Sequence, residues 1–91
     1  LSIRADSKKI LEYAMSQALE LGDIYDNREI SPIALTKELG FPNEGYLRIC
    51  CQYLSGKGLL KYNRYDDPDD ALHIVLSITP AGIDALETDG V

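Results

Sequence analysis

"ISPIALTKELGFPNEGYLRICCQYLSGKGLLKY", residues 30–62, is punctuated so that it divides into two short helices and then runs out as a strand. Ser31-Pro32 pairs a capping hydroxyl with the residue best tolerated at the first helical position, so a helix is expected to start there. It lasts only to Gly40, which suits the left-handed position past a helix end. Phe41 is placed to fold back on the last turn, and Pro42 prevents continuation. Asn43 is the next capping residue. Beyond it Leu47, Cys50, Cys51 and Leu54 recur at helical spacing, predicting a second helix with a narrow apolar stripe, closed by Gly56 and Gly58.

On the N-terminal side, Ile10, Leu11, Ala14, Ala18 and Leu21 fall within one arc when each residue advances about 100°. An amphipathic helix is therefore expected over 7–21. Gly22 and the polar "DIYDNRE" (23–29) end it, with Ile24 and Tyr25 able to add a short extended segment. On the C-terminal side, strands are expected over 59–65 and 71–79. In the latter, Leu72, Ile74, Leu76 and Ile78 alternate with Ala71, His73, Val75 and Ser77, predicting one inward face. "DDPDD" (66–70) makes the turn, and Thr79-Pro80 repeats the cap-then-proline signal for a short closing helix, "PAGIDALE".

The totals limit function. At 91 residues and 45% hydrophobic content the chain can bury a modest core in one domain, but not a deep enzyme cleft on a separate scaffold. An opening Leu1 in place of Met is what a piece of a longer protein would show. Within these residues there is no apolar run of membrane-spanning length and no charged-then-apolar leader, and the two adjacent cysteines cannot staple distant segments. A soluble protein of the reducing cytoplasm, without membrane contact, is the expectation. The net charge of −6 is unevenly spread. Residues 31–64 carry Lys37, Arg48, Lys57, Lys61 and Arg64 against Glu38 and Glu44, a local net of +3, whereas residues 65–91 carry seven acids and no Lys or Arg. Only the middle of the chain is suited to a polyanion.

The order α-α-α-β-β-α with a tight turn before the third helix resembles the winged helix-turn-helix superfamily. Leu35, Leu39, Gly40, Leu47, Leu54, Gly58, Leu59 and Leu60 stand where that pattern places its apolar and glycine residues. "LSITPAGIDALE" (76–87) is similar to the end of the wing in MarR-like and PadR-like regulators. The resemblance implies an α+β fold: a small winged helix spanning 1–91, with a three-helix core, a β-hairpin wing and a short C-terminal helix. It also implies a DNA-binding module that regulates transcription.

The residues supply a site for that task. Opposite the apolar stripe of the third helix lies a face centred on Gly45, Ile49, Gln52 and Gly56, flanked by Arg48 and Glu44 on one side and Tyr46 and Tyr53 on the other. Gln52 can read adenine and Arg48 guanine, and Asn43 can meet a base or phosphate at the helix start. Ser31, Lys37, Lys57, Lys61 and Arg64 are candidate backbone contacts. Double-stranded DNA is the expected partner. One such module binds weakly, so a homodimer or a tethered larger protein is implied, with Ile3, Met15 and Leu19 as a pairing surface.

Acidic residues at the hairpin tip oppose phosphate, which gives weight to a different class of protein: an adaptor that docks protein through Tyr46, Ile49 and Tyr53 and offers its acidic wing to a basic partner. Nothing suggests an enzyme or a cofactor. The acidic loop lacks calcium-loop spacing, Cys50, Cys51 and His73 lack zinc spacing, and no nucleophile is paired with a base. The cysteines are expected in the core and His73 at the surface.

Overall fold

The computed structural model describes residues 2–25, 28–66 and 72–91, which form an α+β domain of four helices and a three-stranded antiparallel sheet. In chain order these are α1 (Ile3–Leu21), β1 (Glu29–Ile30), α2 (Pro32–Leu39), α3 (Glu44–Gly56), β2 (Leu60–Tyr65), β3 (His73–Ile78) and α4 (Pro80–Thr88). Ser31, Asn43 and Thr79 cap α2, α3 and α4 as their side chains predict, each oxygen accepting from the backbone N–H three residues on. α1 starts at Ile3, earlier than its apolar periodicity indicates, because Ser2 accepts from the Ala5 N–H at 3.2 Å and so starts the helix before its first buried position. Gly40 sits at φ 72° past α2, with the N–H groups of Gly40 and Phe41 returning to the carbonyls of Lys37 and Thr36.

The sheet order is β1-β3-β2. The short extended segment expected at Ile24 and Tyr25 forms instead at β1, which pairs Glu29 with Val75 and Ile30 with Ile74, while Ile24 and Tyr25 are in a turn. Two residues are too few to show alternation, and they become a strand because β3 offers them an open edge. β3 is therefore central, and this corrects the expectation of a single inward face: Val75 and Ser77 are buried along with Ile74, Leu76 and Ile78. On the side away from the helices Ser77 lies beside Ile24, Tyr25 and Lys61, with the Lys61 ammonium 5.7 Å from the centre of the Tyr25 ring.

α1 is the helix about which the core is built, packing on α3, β3 and α4. Ile10, Leu11, Leu35, Leu47, Leu54 and Ile74 are fully buried, each such side chain stabilising the fold by roughly 1.5–3 kcal/mol. Cys50 and Cys51 join them as free, buried thiols. At the far end, the Thr79 hydroxyl donates to the Gly58 carbonyl at 2.7 Å, and the Thr79 N–H donates to the Leu59 carbonyl at 3.2 Å. The start of α4 is thereby bonded to the residues that follow α3. The end of α4 returns to α1: Lys8 and Asp89 form an ion pair at 2.6 Å, and Arg4 Nε donates to the Val91 carbonyl.

Candidate nucleic-acid interface

α3 owes its position to its buried stripe and to Asn43, whose Oδ1 accepts from the Tyr46 N–H at 2.9 Å. Its opposite face is open to solvent and presents Gly45, Arg48, Ile49, Gln52 and Gly56, with Ile49 50% exposed. Arg48 and Gln52 are four residues apart and so project from the same side of the helix. Neither side chain makes an ion pair or hydrogen bond among the described residues.

The other residues of the set are distributed as follows. Ser31 and Asn43 spend an acceptor on their caps and keep the hydroxyl and amide hydrogens as donors. Lys37 is exposed in the last turn of α2. Lys57 follows α3 and lies over Tyr53, 5.2 Å from the ring centre, so the aromatic side expected at Tyr53 carries a cation. Tyr46 is half-buried: it meets Phe41 edge to face at 5.4 Å, and its hydroxyl donates to Asp6 Oδ2. Of the docking surface expected at Tyr46, Ile49 and Tyr53, the two tyrosines are half-buried and Ile49 is exposed.

Strand geometry separates Lys61 from Arg64. In an antiparallel ladder, paired residues share a face and successive residues alternate. Arg64 is opposite Ile74 and shares the helix-side face with Leu60 and Tyr62, whereas Lys61 is opposite Ser77 on the other face. The spacing of three between them carried that information. Arg64 thus looks across at α3, and Arg48 and Arg64 stand on the two walls of one cleft of about 250 Å³. Its floor is Leu47, Tyr62, Leu72 and Ile74, and Glu44 is on its rim. Burial raises the pKa of the Tyr62 phenol, while the nearby guanidinium groups of Arg48 and Arg64 pull it back. Arg64 also meets Asp66 at 4.0 Å, the outer limit of an ion pair. The remaining carboxylates of the acidic loop, Asp67, Asp69 and Asp70, lie outside the described residues.

Among the described residues no group of His, Cys, Asp or Glu side chains is arranged to hold a metal ion, and no helix is long and apolar enough to cross a membrane. His73 is half-buried at the start of β3, opposite Tyr65. No family model and no curated protein matches this chain.

Proposed function

We propose that the chain is a winged-helix module that binds double-stranded DNA with α3 in the major groove and acts in transcriptional regulation in the cytoplasm. The observation that carries the reading is the solvent face of α3, where Arg48 and Gln52 are side by side, exposed and without an ion pair or hydrogen bond among the described residues. Arg and Gln are the side chains that read guanine and adenine edges bidentately. The order α1-β1-α2-α3-β2-β3 with a β1-β3-β2 sheet supports the fold assignment. Ser31, Lys37, Asn43 and Lys57 surround α3 as donors to phosphate, and Arg64 reaches the duplex from the hairpin. Lys61, on the opposite side of the sheet, is dropped from the contact set.

The test is fluorescence anisotropy with labelled random-sequence duplex at about 50 and 200 mM salt, a range over which phosphate contacts lose orders of magnitude in affinity. Binding that falls steeply with salt is expected, and the Arg48→Ala, Gln52→Ala double variant is expected to lose about 1–3 kcal/mol per base contact on a selected site. Absence of binding at low salt by folded protein overturns the reading. The exposed Ile49 favours a second reading, a protein-docking adaptor. There Ile49→Asp abolishes partner binding while the Arg48, Gln52 double variant leaves it intact.

A further inference from the structure

We infer that the cleft between α3 and the β-hairpin binds the C-terminus of a protein partner, taking its terminal carboxylate between Arg48 and Arg64 and its last, apolar side chain onto the floor. The inference rests on the cleft alone and not on the DNA-binding reading.

Three features point to this occupant. The floor is apolar: Leu47 and Ile74 are buried, and Leu72 and Tyr62 are half-buried. A backbone phosphate would use the arginines and leave that floor in water. At about 250 Å³ the cleft lies below the range of about 300–1,000 Å³ typical of sites that enclose a drug-sized ligand, so it suits one side chain and its attached carboxylate. The cations come from two elements, Arg48 from α3 and Arg64 from β2, and planar guanidinium groups match a carboxylate in bidentate geometry. Arg48 has no ion-pair partner among the described residues, and Arg64 has only the long contact to Asp66.

The end of a chain fits better than an internal acidic residue. In an extended peptide, neighbouring side chains point to opposite sides, so an Asp or Glu beside an apolar anchor turns away from the anchor's pocket. Only at the C-terminus does one residue carry both an apolar side chain and a carboxylate. Glu44, the acid on the rim, opposes any anion and tunes the affinity downward.

The probes are acetyl-Gly-Ser-Leu as free acid, the same peptide as C-terminal amide, and 4-methylpentanoate. Each is titrated into 15N-labelled protein without DNA. Saturable shifts are expected at Gly45, Arg48 and Ile74 with the acid peptide. The amide should bind about tenfold more weakly, as should Arg48→Gln and Arg64→Gln with the acid peptide, and Glu44→Gln should bind more tightly. Equal binding of acid and amide overturns the proposal. So do shifts located elsewhere, no effect of either Arg→Gln change in folded protein, or 4-methylpentanoate binding as tightly as the peptide, which would mark a small-carboxylate site. Because duplex binding is read separately by anisotropy, peptide failure with DNA binding removes this inference alone. Peptide binding without DNA binding removes the other reading alone.

Discussion

The Tyr46 hydroxyl donates to the carboxylate of Asp6, fastening the first turns of α3 to those of α1. This hydrogen bond, and then Lys9 beside it, hold Asp6 below its ordinary pKa of 3.8. A depressed carboxylate stabilises the fold fully above its unfolded pKa and loses that contribution as pH falls through the folded value. Tyr46→Phe should therefore lower the urea midpoint at neutral pH, by less than a core truncation does, and the difference from wild type should shrink below about pH 3.8. A difference independent of pH would mean that Tyr46 acts through packing alone.

Thr79 caps α4 and also donates to the Gly58 carbonyl. Thr79→Ala should cost about 1–2 kcal/mol in chemical denaturation, and Thr79→Ser should recover most of it. A silent Thr79→Ala would show that α4 is held by other contacts.

A Cβ added at Gly82 would stand 2.2 Å from the Leu59 carbonyl oxygen and 2.9 Å from Ile78 Cγ1. Helix propensity alone favours Gly82→Ala by about 0.5–1 kcal/mol. Overpacking against backbone opposes it, and a net loss of about 1–3 kcal/mol is expected. Even the sign of the measured change tests how closely α4 meets the turn after α3.

Leu54 is fully buried and Leu19 is 71% exposed. Leu54→Ala should cost about 2–5 kcal/mol, against less than about 0.5 kcal/mol for Leu19→Ala in the monomer. If Leu19→Ala instead lowers stability in a concentration-dependent way, α1 is an interface between copies.

Burial raises the Cys50 thiol, and burial followed by Cys50 pushes Cys51 up to about 12. Both thiols should resist a chromogenic disulfide reagent in native buffer and react on unfolding. For a raised thiol, stability is complete below its ordinary pKa of 9.0 and lost as pH rises toward 12. Alkaline unfolding should accordingly begin in that interval, and prompt labelling at pH 7 would contradict the burial of the pair.

The caps at Ser31, Asn43 and Thr79, the stop at Gly40 and the stripe of α3 were legible in the sequence because each depends on neighbours within a turn. β1 was not, since its two residues are ordered by a partner more than forty positions away. Val75 takes part in the same distant pairing, and Ser77 is buried beside Ile24, Tyr25 and Lys61. Tyr46 looked exposed from helical phase, but it sits at the edge of the stripe, where Asp6 and Phe41 draw it in. For the candidate site, Arg48 and Gln52 were readable from α3 itself. Arg64 was identified, but its place opposite Arg48 required strand parity combined with the docking of hairpin on helix.

Gly58 and Leu59 give their carbonyls to Thr79, and Leu59 also receives the close approach of Gly82. Fraying α4 by itself would strip partners from the backbone that leads into β2, and withdrawing that backbone would release the cap of α4. These segments should consequently exchange their amide hydrogens as a single opening unit. The N–H groups of Leu59, after α3, and Ile83, in α4, would then share one protection factor, although the whole hairpin separates them in the chain.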